Sequence, residues 1–141
     1  MNILIINGPN LNLLGEREPE IYGSMDLDEL NNWINQHPLC EGHKLKFYQS
    51  NHEGEIIDLM HSNRRVVDAM VLNAGALTHY SYALRDAISA CQLPTVEVHI
   101  SDIQSREDFR KLSVIEEVCI AQISGRGKQG YVDAIQLLTD L

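Results

Sequence analysis

Short apolar runs alternate along the whole chain with longer stretches of helical period. Ile3-Leu4-Ile5-Ile6 is continuously apolar, as expected of a strand buried on both faces. Over residues 26–36, Leu27, Leu30 and Ile34 recur at helical spacing, and Pro38 stops the pattern. Residues 44–48 alternate polar and apolar, which predicts a strand nearer the edge of a sheet. Ile56, Ile57, Leu59 and Met60 mark a second helix over 53–63. A third strand follows at 69–72, and a third helix at 80–91 with Thr78 as its candidate cap. Strand four is expected at 94–98, a short helix at 106–111, strand five at 118–123 and a final helix at 129–141. No linker, repeat or low-complexity stretch interrupts this alternation, so residues 1–141 are expected to form one domain. Five βα units in a row predict an α/β protein, with a doubly wound five-stranded parallel sheet inside a three-layer α/β/α stack.

Ligands in such folds bind beyond the carboxyl ends of the strands, so the residues there carry the functional information. After strand one comes a connection of roughly 17 residues without evident secondary structure, longer than the usual loop. It holds Asn10, Arg17 and Tyr22. Two readings stand side by side: a floppy insertion with solvated side chains, or a lid over about 10–23. A free tyrosine is only about 0.1% ionised near neutral pH. A cation within about 4–6 Å favours the phenolate and makes it a usable base. Arg17 lies five residues before Tyr22, and one folded lid would bring them together.

His99 follows strand four, and a lone histidine there is more often structural than catalytic. Glu97, two residues earlier, shares its face of the strand and is placed to hold one ring nitrogen, leaving the other to exchange a proton. Beyond them, the Ile100 and Ser101 N–H groups are placed to receive an anion, Asn73 and His79 offer neutral hydrogen bonding, and Arg110 adds a cation. Helix capping and surface charge explain each feature separately. Together they describe a pocket for a small, hydroxylated, anionic molecule. Gly125-x-Gly127-x-x-Gly130 has the form of a dinucleotide fingerprint. However, the chain ends before a second strand and its acidic ribose ligand could follow, so it reads as a tight turn opening a helix.

Composition narrows the classes. The 141 residues carry 11 Lys and Arg against 20 Asp and Glu, a formal charge of −9. That balance excludes a phosphate-backbone reader, which needs a basic stripe, while a few arginines focused in one cleft still allow an anionic small molecule. No apolar run approaches a membrane span of roughly 20 residues, and the opening residues lack the basic start of a signal peptide. Cys40, Cys91 and Cys119 are odd in number and lack C-x-x-C spacing. They predict free thiols in a reducing cytoplasm and no metal site.

Read together, the motifs NGPNLNLLGEREPEIYG at 7–23, NAGALTHYS at 73–81, VEVHIS at 96–101, REDFR at 106–110 and ISGRGKQGY at 123–131 closely resemble the type II 3-dehydroquinate dehydratases. The resemblance runs over essentially the whole chain. It implies a flavodoxin-like sheet, a homo-oligomer built from trimers and commonly dodecameric, and no metal or organic cofactor. The implied reaction is reversible dehydration of 3-dehydroquinate to 3-dehydroshikimate through an enolate, in the shikimate or quinate pathways.

By the same resemblance, Tyr22 is the base and Arg17 favours its tyrosinate. Asn10 helps hold a water near the enolate oxygen, and His99 is the acid, oriented by Glu97. Asn73, His79, Ile100, Ser101 and Arg110 bind substrate, and Asp86 reaches a neighbouring subunit's site. Asp102 and Gln104 stand where Asn and His are frequent, and Arg126 where an aromatic is frequent; none of these is assigned to chemistry. The Schiff-base route of the other dehydroquinase class needs a desolvated lysine. Lys44 and Lys46 alternate with apolar neighbours and are expected to face solvent, while Lys111 and Lys128 sit among polar residues.

Two competing classes are a flavodoxin-like binding or signalling module and an inactive relative kept for interactions. A flavin site wants a Ser/Thr/Gly-rich loop after strand one and a phospho-receiver wants aspartates there, whereas Asn7-Gly8-Pro9-Asn10 offers neither. An inactive relative leaves Arg17, Tyr22 and His99 together unexplained.

Overall fold

A computed structural model describes all residues, 1–141. Five parallel strands, β1 (Asn2–Asn7), β2 (Lys44–Gln49), β3 (Ala69–Asn73), β4 (Thr95–His99) and β5 (Ala121–Ser124), lie in the order β2-β1-β3-β4-β5. The α-helices are α1 (Pro19–Tyr22), α2 (Leu27–Gln36), α3 (Glu53–Asn63), α4 (Tyr82–Cys91) and α5 (Gln129–Thr139). No helix is long and apolar enough to cross a membrane.

The alternation of side chains along each strand divides the core in two. Ile3 and Ile5 of β1 and Val71 of β3 face α2 and α5, whereas Leu4, Ile6 and Leu72 face α3 and α4. Apolar side chains thus clothe both faces of β1 and β3, which explains their unbroken apolar sequence. Edge strand β2 keeps the polar alternation, with Lys44 and Lys46 exposed as expected. Helix α2 is capped by Asp26, which accepts from the Glu29 N–H at 2.8 Å, and it buries Leu30 and Ile34. Each of those side chains contributes roughly 1.5–3 kcal/mol on leaving water.

Four sequence expectations are corrected. Thr78 caps nothing; it is buried in a 3-10 helix, Gly75–His79, and Ser81 caps α4 by accepting from the Leu84 N–H at 3.0 Å. The expected helix at 106–111 is a 3-10 turn, Asp108–Lys111, preceded by another at Ile103–Ser105, because Arg106 between them is extended. Strand five begins at Ala121, where its ladder with Val96 starts. Val118 and Cys119 instead pack against the apolar layer under α4. The long first connection is not structureless, since it contains a 3-10 turn at Leu11–Leu13 as well as α1.

Candidate active site

The strands end around a cleft lined by Asn10, Arg17, Tyr22, Asn73, His79, His99, Ile100, Ser101, Arg106 and Arg110, among others. The cleft measures about 100 Å³, and Asn10, Leu11, Arg17 and Tyr22 of the 10–23 segment form part of its lining. No Asp or Glu lines it, while three arginines do. A chain of net charge −9 thus presents a locally positive cleft.

One wall comes from residues 10–22. Asn10 turns the chain with φ 71°, a left-handed conformation that asparagine tolerates, and its N–H donates to Asn51 Oδ1 at 3.0 Å. Glu18, at φ 39°, starts the single turn that ends at Tyr22. Arg17 Nη2 donates to the Tyr22 hydroxyl oxygen at 3.4 Å, and its guanidinium lies 4.6 Å from the ring centroid. Arg106 Nη1 donates to the same oxygen at 2.6 Å, and Nη2 approaches Glu18 at 3.6 Å. Any negative charge on that phenol oxygen therefore faces two cations.

The opposite wall is a buried acid–base pair. Glu97 and His99, on one face of β4, meet through a His99 Nε2–H to Glu97 Oε1 hydrogen bond of 2.7 Å. Glu97 also accepts from Thr78 Oγ at 2.5 Å, Ser113 Oγ at 2.8 Å and Gln122 Nε2 at 3.0 Å. Burial pushes this carboxyl up, but the hydrogen bonds from His99, Thr78 and Gln122, with the His99 charge, outweigh it. The group is held below the usual carboxylate value. His99 thus keeps Nδ1 for the cleft while an ionised partner holds Nε2.

The floor is a set of hydrogen-bonding groups. His79 Nδ1 donates to the Leu112 carbonyl at 2.7 Å, and burial lowers its proton affinity, which keeps it neutral. Neither the Ile100 nor the Ser101 N–H donates within the protein, so both remain available to an anion. Arg110 pairs with Glu107 and stacks 4.6 Å over the Phe109 ring.

The structure thus brings together Asn10, Arg17, Tyr22, Asn73, His79, His99, Ile100, Ser101 and Arg110, with Glu97 directly behind His99. Asp86 is not among them; it is exposed on the outer face of α4. Arg106 escaped the sequence reading as a site residue. Its signal was its place four residues before Arg110 in a short basic segment. Thr78, Ser113 and Gln122, the partners of Glu97, carried no local signal. The three unusual positions have local uses: Asp102 accepts from the Gln104 N–H at 3.0 Å, Gln104 Nε2 donates to the Lys111 carbonyl at 3.0 Å, and Arg126 pairs with Asp133.

A doubly wound sheet with a positive cleft, a tyrosine under two guanidiniums and a histidine–carboxylate pair defines a class of protein: an α/β enzyme equipped for acid–base chemistry on a small anion. A model of the family "Dehydroquinase class II" matches residues 1–139. The 3-dehydroquinate dehydratase of Halothermothrix orenii is 49% identical over 99% of this chain and 94% of its own length. That of Pelotomaculum thermopropionicum is 52% identical over 96% and 94%. The crystal structure of the type II dehydroquinase from Butyrivibrio crossotus superposes with a TM-score of 0.95 at 48% identity, covering 99% of this chain and 97% of that one. The chain belongs to the class II dehydroquinase family and is an enzyme of that family.

Proposed function

We propose that this enzyme reversibly dehydrates 3-dehydroquinate to 3-dehydroshikimate by anti elimination through an enolate, a step of the shikimate or quinate routes. The observation that carries the mechanism is the pairing, across one cleft, of a doubly cation-contacted Tyr22 with the His99–Glu97 pair. The Tyr22 phenolate removes a C2 proton, and the C2–H electron pair moves into the enolate. Arg17, together with Arg106, offsets the charge. Asn10 holds a water near the enolate oxygen.

Collapse of the enolate breaks the C1–O bond. A doubly protonated His99, paired with Glu97, delivers the Nδ1 proton to the departing hydroxyl, which leaves as water. The Tyr22 proton then returns to solvent, from which His99 is recharged. The Ile100 and Ser101 N–H groups hold the substrate carboxylate, and Asn73, His79 and Arg110 hold its remaining polar groups.

The whole chain acts as one catalytic domain with residues 10–23 as its lid. The position of Asp86 outside its own cleft supports a role at a neighbouring subunit's site, in a homo-oligomer read as a dodecamer. Exposed Tyr80, Tyr82, Phe109 and Leu112 offer apolar surface for that assembly. The free thiols of Cys40, Cys91 and Cys119 fit a cytoplasmic location. The test is direct: purified protein given 3-dehydroquinate produces the ultraviolet absorbance of a conjugated enone. No rise with fresh substrate and an intact oligomer would overturn the assignment.

A further inference from the structure

Beneath the cleft floor lies a buried polar chain of which only Asn73 has a part in the reaction proposed above. Asn7 and Asn73 end the adjacent strands β1 and β3 as register partners. Both continue the alternation of Ile3, Ile5 and Val71 and so turn toward α5. There they meet Tyr131, a fully buried side chain. Its hydroxyl donates to Asn7 Oδ1 at 2.5 Å and accepts from Asn73 Nδ2 at 2.9 Å. Of the three, only Asn73 reaches the cleft.

The direction of this chain is determined at one end by the backbone. The Gly75 N–H donates to Asn73 Oδ1 at 3.2 Å, so the amide oxygen must face Gly75 and its nitrogen must face Tyr131. The phenol oxygen then accepts a hydrogen bond from Asn73, so its own O–H has to donate to Asn7 Oδ1. Asn7 Nδ2 is left buried with no partner. An orphaned amide costs free energy, and a core of aliphatic side chains would avoid it, so such groups ask for an explanation. Burial also pushes the Tyr131 phenol above its ordinary value, which keeps it a neutral donor.

An asparagine side chain has two N–H donors and two acceptor lone pairs. Tyr131 takes one donor and Gly75 one lone pair. One N–H and one lone pair remain, with the amide locked in place. A hydroxyl group matches that pair, since it accepts from the first and donates to the second. We infer that Tyr131, anchored by Asn7, is a positioning residue that orients the Asn73 amide to recognise a hydroxyl group of the substrate. This rests on the dehydratase reading above, in which Asn73 binds a polyhydroxylated ring.

The test compares KM, kcat and thermal midpoint for wild type, Y131F, N73A, Y131F/N73A and Y131F/N7L, with 3-dehydroquinate as the probe. In Y131F, KM rises about tenfold, the loss of roughly one hydrogen bond, while kcat stays within about threefold. In the N73A background the same change moves KM less than about twofold, because the amide it acts through is gone. Replacing Asn7 as well, in Y131F/N7L, removes the orphaned amide of that residue and recovers thermal midpoint, yet leaves KM raised.

Equal KM increments in both backgrounds, or a KM that recovers together with the midpoint, would overturn the positioning role. Y131F with wild-type KM overturns it as well. Absence of turnover in the wild type overturns the dehydratase reading, and this inference with it.

Discussion

Arg106 is the group whose removal most directly tests the electrostatics of the cleft. Its Nη1 lies 2.6 Å from the Tyr22 oxygen and its side chain is only 13% exposed, whereas Arg17 stands off at 3.4 Å. The first distance is a strong hydrogen bond; the second lies outside the usual range of about 2.7–3.2 Å and acts mainly through charge. A hydrogen bond from a charged donor contributes about 1.5–3 kcal/mol. If that contribution is felt chiefly when the phenol oxygen becomes negative, R106Q lowers kcat roughly 10- to 150-fold.

The substitution also removes the contact to Glu18, so a lid effect has to be separated from an electrostatic one. The Glu18–Arg106 pair, at 3.6 Å with a half-exposed carboxylate, contributes at most about 1 kcal/mol. E18Q is therefore expected to cost no more than about fivefold. The assay is the initial rate of enone absorbance at saturating substrate, with R17Q alongside and R106Q the more damaging of the two. R106Q within twofold of wild type, or E18Q reproducing its loss, refutes the reasoning.

Further predictions follow from the same geometry. Y22F removes nearly all kcat while calorimetry still detects substrate binding, and unchanged turnover in that variant refutes the phenolate base. E97Q sets an amide donor against His99, Thr78, Ser113 and Gln122. It is expected to lower the unfolding free energy in urea by roughly 3 kcal/mol, as for one broken partner of a buried pair; a loss below about 1 kcal/mol would contradict the satisfied-carboxylate account.

The depressed Glu97 value also sets a pH dependence. Its contribution is full above the unfolded carboxylate value of about 4.3 and is lost as pH falls through the lower folded value. Wild-type stability therefore falls more steeply than that of E97Q as pH drops below about 5, and parallel profiles would rule this out. D86A weakens substrate binding in the assembled protein, and full activity of an isolated wild-type monomer would exclude a shared site.

Local pattern was enough for much of this protein. The limits of α3 at Glu53–Asn63 match the apolar spacing, the alternation in β2 identified an edge strand, and the continuous apolar run of β1 announced a strand covered on both faces. Each of these is a periodicity within about ten residues, and burial acts on it directly. The Glu97–His99 pair was legible for the same reason, since two residues along a strand share a face. Arg17 and Tyr22 were legible as neighbours, five residues apart in one loop.

What the sequence could not disclose depends on contacts between distant segments. Thr78 resembled a helix cap until the fold placed it against Glu97, 19 positions away. Val118 belonged to an apolar run but lost its place in the sheet because the β4 ladder starts only at Ala121. Arg106 meets Tyr22 across 84 positions, and Tyr131 meets Asn7 across 124. By itself, then, the chain determined its elements, its parallel sheet and the residue types at the strand ends, because those follow from short-range periodicity. Tertiary structure alone decided which cation bonds the Tyr22 oxygen, which donors hold the buried carboxylate and how the Asn73 amide faces. Those are questions of side-chain direction across strands and helices, and no spacing along the chain encodes them.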